Sequence, residues 1–239
     1  AGPLVPSVPP TVKQPPKPAC RNRLRLMTKP LTIPAGDVTL PGDLAVPPDA
    51  RGIVGFAHGS GSSRHSRRNR YVAEELHRAG CATLLFDLLT ESEASRRALV
   101  FDIGLLASRL RECVAWLRTQ AGVGGLPVGL FGASTGAAAA LVAAADEGDG
   151  VRAVVSRGGR PDLAAEHLPR VTAATLLIVG GDDTGVIELN ESAFASLRGV
   201  KRLEIVPGAG HLFEEPGALE RVAALAAEWF ARYLSQGSS

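Results

Sequence analysis

Residues Phe131-Gly132-Ala133-Ser134-Thr135-Gly136 contain a Gly-x-Ser-x-Gly string. An apolar, strand-like run at 126–131 precedes it, and an alanine-rich, helix-like run at 135–145 follows. A serine on a sharp strand-to-helix turn presents its hydroxyl above the sheet, where a substrate can reach it. Glycines flank such a turn because side chains there would collide with it. The string alone is a weak signal in a chain with 27 glycines. Between a buried strand and a helix it is much stronger, and the competing reading is an ordinary loop serine.

A serine hydroxyl needs a general base to act as a nucleophile. The base is commonly a histidine oriented by a carboxylate. Of the five histidines, His211 has the most suggestive setting. It follows a strand-like run at 202–206 and the turn Pro207-Gly208-Ala209-Gly210, and it precedes an amphipathic run. A structural loop histidine is the alternative. His77 lies among charged residues in a helical pattern and is expected to face solvent. The continuous apolar run at 175–179 reads as a doubly covered parallel strand. It ends in Gly180-Gly181-Asp182-Asp183. The spacing favours Asp183 as the carboxylate, with Asp182 beginning the turn or capping the next helix. Helix capping alone would also explain the pair.

Acyl chemistry at Ser134 would need backbone N–H groups for the oxygen that becomes negative. One is expected from Thr135, the residue after the serine. The other is expected from the loop His58-Gly59-Ser60-Gly61-Ser62-Ser63, which follows a strand-like run at 53–57. Ser60 N–H is the preferred second donor and Gly61 the less favoured one. His58 reads as a brace for this loop, which could also be simply a flexible Gly/Ser segment.

With these residues in view the chain resembles the α/β-hydrolase superfamily, and within it the dienelactone-hydrolase-like family. The resemblance covers about residues 29–235. It rests on His58–Ser63, Phe86-Asp87-Leu88-Leu89-Thr90, the Ser134 turn, Ser156-Arg157-Gly158-Gly159-Arg160-Pro161-Asp162, Asp183 and Gly210-His211. It implies a serine hydrolase that cleaves small carboxylic esters through Ser134, His211 and Asp183, with no cofactor and no metal. Dienelactone hydrolases resemble this chain but carry cysteine where it has Ser134, which favours ordinary ester chemistry over dienelactone itself. Thioesterase, acyltransferase, peptidase or lactone-hydrolase chemistry could use the same site. A non-catalytic binding protein of the same fold is a rival from another class. Some relatives are fused to a phosphoribosyltransferase domain, which these 239 residues are not expected to encode.

Composition fits one globular domain, with 45% hydrophobic residues and a net charge of +2. Such a balance gives no electrostatic argument for nucleic acid. No apolar run is long enough to span a bilayer. Cys20, Cys81 and Cys113 form no disulfide or metal-ligand pattern, which points weakly to the cytoplasm. Cys81 and Cys113 are expected to be buried thiols. Residues 1–22 hold six prolines in their first sixteen positions and read as a flexible tail or linker. The hydrolase domain is expected over 23–235, with 236–239 disordered.

Two opening strands and then alternating strands and helices predict a mainly parallel eight-stranded sheet with helices on both faces. One long helix is expected over about 98–119. Residues 157–174 leave room only for a short helix around 163–167, so no large cap domain is expected. Arg64, Arg157 and Arg160 are candidate contacts for an anionic substrate. The plainer reading is a solvated helix start for Arg64 and ion pairs with Asp162 or Asp87 for the other two. Tyr71 and Phe213 could line the pocket or belong to the core.

Overall fold

The structure is a computed structural model that describes residues 28–235. The proline-rich stretch, residues 236–239 and Cys20 lie outside the described residues. The chain opens with β1 (Thr28–Ala35) and β2 (Val38–Ala45), which pair antiparallel around a turn at Gly36. Next come β3 (Gly52–Ala57), α1 (Arg67–Arg78) and β4 (Cys81–Phe86). Three helices follow, α2 (Glu91–Ala94), α3 (Arg97–Val100) and α4 (Ile103–Thr119). Then come β5 (Val128–Ala133), α5 (Thr135–Glu147), β6 (Ala153–Arg157) and β7 (Ala174–Gly180). The last three elements are α6 (Thr184–Ser196), β8 (Lys201–Val206) and α7 (Ala218–Tyr233).

These strands make one eight-stranded sheet in the order β1-β2-β4-β3-β5-β6-β7-β8. The pairs from β4 to β8 are parallel, and only β1 and β2 join antiparallel. β3, β4, β5, β6 and β7 are buried at every position. Full burial explains their continuous apolar runs, since helices cover both faces of a parallel sheet. Leu106 and Leu110 of α4 lie in one apolar layer with α5, while Val72 and Leu76 of α1 lie in the other with Val222 and Phe230 of α7. The alanine side chains of α5 suit a helix buried from Thr135 to Ala145, because small residues let it approach the sheet closely. Cys81 and Cys113 are buried free thiols, as expected.

Three expectations need correction. The helix expected over about 98–119 is broken, because Asp102 accepts a hydrogen bond from Leu105 N at 3.0 Å and starts α4 afresh. The segment from β6 to β7 forms two 3-10 turns, Pro161–Ala164 and Leu168–Arg170, in place of one short helix; there is no inserted cap domain. His77 does not simply face solvent. Its Nε2 is 2.7 Å from the hydroxyl of the buried Thr83 on β4. Among the described residues, no helix is long and apolar enough to cross a membrane.

Burial, and after it the Arg78 charge, lowers the His77 pKa to about 4. In the unfolded chain the imidazole titrates near its ordinary value of about 6.5. Across that window the unfolded state binds more protons, so stability falls as pH falls from about 6.5 toward 4. His58, also lowered by burial, acts in the same sense. His77→Gln is therefore expected to flatten part of the loss of stability between neutral and acid pH. Urea unfolding of both proteins across that range checks this; an identical pH slope would remove His77 from the account.

Candidate active site

The turn between β5 and α5 is held by close packing of small residues. Ser134 takes φ 52° and ψ −122°, a positive φ that costs a non-glycine residue about 1–3 kcal/mol. Backbone bonds fix it from two directions. Ser134 N donates to Arg157 O at 3.3 Å, and Ser134 O accepts from Ala137 N at 3.0 Å and Arg160 N at 3.2 Å. The flanking glycines are sterically required. A Cβ on Gly132 would lie 2.4 Å from Ala137 Cα, and one on Gly136 would lie 2.3 Å from Ala57 O and 2.5 Å from His58 O. The Ser134 turn is thus wedged between the loop after β3 and the loop after β6.

The loop after β6 connects this serine to the histidine. A Cβ on Gly158 would lie 3.1 Å from His211 O and 3.5 Å from His211 Nδ1. His211 Nδ1 lies 2.7 Å from Asp183 Oδ2. A carboxylate only accepts, so this bond places the proton on Nδ1 and leaves Nε2 as an acceptor. Asp183 occupies the N-cap position of α6, yet its side chain makes no capping bond and turns to His211 instead. Asp182 bonds through its backbone N to Ala209 O at 3.0 Å. The His211 side chain is 39% exposed, so a substrate can reach it. Among the described residues, Ser134 Oγ and His211 Nε2 are not hydrogen-bonded to each other; such contacts often tighten only when substrate binds.

Two further features hold the histidine loop. Phe213 is fully buried in the core, which decides its role, and it adopts φ 55°. A positive φ at a bulky residue is unusual and here turns the chain sharply after His211. The buried Asn190 of α6 donates to Gly159 O at 3.1 Å and to Val186 O at 2.8 Å, joining α6 to the loop after β6. Tyr71 is partly buried and packs against the same core layer as Phe213.

The loop after β3 is braced as expected by His58. Its Nδ1 meets Gly59 O at 3.0 Å and its Nε2 accepts from Leu88 N at 3.1 Å. Burial lowers its pKa, against opposing effects of the Gly59 carbonyl and Asp87. Neutral His58 therefore ties the loops after β3 and β4 together. Between them and α2–α4 lies a cavity of about 720 Å³, walled by Leu88, Leu89, Val100 and Leu106 and reaching Ser60 and Thr135. Ser60 N is already engaged, donating to Thr135 Oγ1 at 3.0 Å.

The three arginines fall into different settings. Arg64 lines the cavity but is ion-paired with Asp87, with Asp43 at 3.7 Å, and its backbone N donates to Asp87 Oδ1 at 2.7 Å. It is a loop brace more than a solvated helix start. Arg160 forms a bidentate pair with Asp162 at 2.8 and 2.7 Å. Arg157 is only 7% exposed, and its Nε and Nη1 have no partner among the described residues. Burial, and after it the nearby Arg68 charge, lowers its pKa to about 10. Among the described residues, no group of three His, Cys, Asp or Glu side chains is arranged to hold a metal.

The fold is that of an α/β-hydrolase. Residues 44–235 match the Dienelactone hydrolase family, and the chain belongs to that family. It is 59% identical to the dienelactone hydrolase from Anabaena variabilis, with a TM-score of 0.86 covering 87% of this chain and 99% of that one. Est1E from Butyrivibrio proteoclasticus shares the fold at 16% identity, with a TM-score of 0.75 over 87% of this chain and 99% of its own. Two Mycobacterium tuberculosis proteins, from strains CDC 1551 and H37Rv, are each 65% identical over 200 residues, 84% of this chain. Their names are "Putative phosphoribosyl transferase MT0597" and "Putative phosphoribosyl transferase Rv0571c". The chain spans 45% of the length of these curated relatives.

The packing around Gly136 carries its own test. Gly136→Ala would press a methyl group against two backbone carbonyls that cannot rotate away. It is expected to cost about 1–3 kcal/mol of unfolding free energy, the usual range for overpacking. Urea denaturation measures it, and wild-type stability would mean that the loop after β3 can retreat.

Proposed function

We propose that the chain is a serine hydrolase that cleaves carboxylic esters of small substrates through an acyl-enzyme on Ser134. The observation that carries this reading is the 2.7 Å bond from His211 Nδ1 to Asp183 Oδ2, made beside the loop that buttresses the strained Ser134 turn. His211 Nε2 takes the Ser134 proton as Oγ attacks the ester carbonyl. The carbonyl carbon becomes tetrahedral and its oxygen becomes negative. Thr135 N–H is the first donor to that oxygen, with the positive end of α5 behind it. His211 returns the proton to the leaving alcohol. It then activates the water that releases the acid. Asp183 orients His211 and stabilises its charged form. These steps need no metal or cofactor.

The cavity supports uncharged substrates with a modest apolar group. Its leucine and valine wall offers burial, and the cation on its lining, Arg64, is already neutralised by Asp87. Its size lies in the ordinary range for small-molecule sites. The unpartnered Arg157 favours a second reading, an ester that carries a carboxylate or phosphate. The family name and the Anabaena relative also keep lactone hydrolysis at the same site as an alternative. A thioesterase or acyltransferase would differ in the acyl donor or acceptor, and product analysis with thiols and alcohols separates them.

Two measurements test this reading. A fluorophosphonate probe is expected to modify Ser134 alone, and Ser134→Ala is expected to abolish both labelling and turnover of p-nitrophenyl esters while remaining folded. No label on folded wild-type protein would bring the non-catalytic reading forward. For the second reading, Arg157→Met is expected to lower kcat/KM at least tenfold for an ester bearing a free carboxylate and to spare p-nitrophenyl acetate. Equal effects on both esters would make Arg157 a structural residue.

A further inference from the structure

The hydrogen bond from Ser60 N to Thr135 Oγ1 changes how the negative oxygen can be held. At 3.0 Å it links residues that are 75 apart in the sequence. Thr135 is only 4% exposed, yet both residues line the cavity of about 720 Å³, which ends at Thr135, the residue directly after Ser134. A free Ser60 N–H is therefore not what an incoming carbonyl would meet.

A hydroxyl has one proton to donate and two lone pairs to accept with. Ser60 N–H occupies one lone pair. Among the described residues, the Thr135 hydroxyl donates its proton to no acceptor. Thr135 is also the first residue of α5, where the backbone N–H has no partner within the helix. One residue directly after Ser134 thus carries two uncommitted donors, its backbone N–H and its side-chain O–H. A hydroxyl that accepts a hydrogen bond becomes a stronger donor through mutual polarisation.

We infer that the second donor to the negative oxygen is the Thr135 hydroxyl, and that Ser60 N–H acts through it. The chain of bonds runs from Ser60 N–H to Thr135 Oγ1, and from the Thr135 O–H to the substrate oxygen. No proton is transferred along it; the one proton that moves in this step goes from Ser134 Oγ to His211 Nε2. Thr135 is thereby a catalytic residue through its side chain as well as its backbone. The bond it accepts from Ser60 N holds the hydroxyl on the side of Ser60. The inference rests on the acyl-transfer reading of Ser134.

Thr135→Val separates this arrangement from a hole built on Ser60 N–H itself. Valine keeps the shape, removes the hydroxyl and leaves Ser60 N–H free. We expect kcat for p-nitrophenyl esters to fall about 100-fold, the usual scale for losing one such donor, while KM moves less than about threefold. Thr135→Ser is expected to keep kcat within about tenfold, because the hydroxyl survives. A folded Thr135→Val enzyme that works as fast as wild type, or faster, would overturn the inference and return the role to Ser60 N–H. Circular dichroism and thermal melting check the fold. If the valine variant does not fold, Thr135→Cys, whose thiol is a weak donor, is expected to show the same loss of kcat, and a wild-type rate there would overturn the inference equally. Ser134→Ala runs alongside. If it retains full activity, the acyl-transfer reading has failed. If it is inactive while Thr135→Val is unimpaired, only the role of the hydroxyl has failed.

Discussion

The Ser134 turn exists because two backbone segments leave no room for anything larger than glycine on either side of it. Gly136 lies against the carbonyls of Ala57 and His58, and Gly132 against the backbone of Ala137. The resulting pressure is what holds Ser134 at a positive φ, with Arg157 O and Arg160 N completing its backbone hydrogen bonds. The two loops beside it are arranged by the same contacts. The loop after β3 is positioned because it rests on Gly136. The loop after β6 is positioned because it accepts from and donates to Ser134. A looser turn would release both loops together.

His211 is placed by a different device. Its loop follows β8, and its direction is set by Phe213, which is driven into the core despite an unfavourable backbone angle. Burying a phenylalanine side chain contributes about 1.5–3 kcal/mol, which is comparable to the cost of that angle. The aromatic ring therefore acts as an anchor, and the histidine two residues earlier is held near Asp183 and Gly158. Asp183 could cap α6 but bonds to His211, so the helix gives up a capping interaction to the site.

The strands were legible because a doubly covered parallel sheet writes itself as uninterrupted apolar runs, as at Ala174–Gly180. Ser134 and Asp183 stood out because each follows such a run within a few residues, and His211 because it follows the edge strand β8 and a glycine-rich turn. What could not be read was any relation that depends on orientation. Nothing in Ser60 or Thr135 marks a side chain accepting from a backbone 75 residues away. His77 looked solvent-facing from its charged neighbours, yet the polar partner that draws it inward, Thr83, is hidden inside an apolar strand. Of the cavity wall, Leu88 and Leu89 lay in a recognisable stretch after β4, but Val100 and Leu106 had no motif, because the break at Asp102 sets α3 apart from α4. Periodicity treats that segment as one helix; a single N-cap divides it.

Charge placement constrains the site as strongly as shape does. Arg64 and Arg160 spend their guanidinium groups on Asp87 and Asp162, which stiffens the two loops flanking Ser134. Arg157 has no such partner, and it lies beside another cation, Arg68, which is itself engaged with Glu214 at 2.8 Å. A buried guanidinium without an anion is costly to keep, so its cost must be offset elsewhere in the fold or relieved by a negative charge that arrives with the substrate. Its backbone carbonyl already accepts from Ser134 N. The same residue thus secures the serine's backbone and raises the positive potential at the end of β6, on the side of the sheet where His211 is seated. A negative charge developing on a carbonyl at Ser134 would be drawn toward the amino end of α5, which is in place before substrate binds and need not reorganise during the reaction.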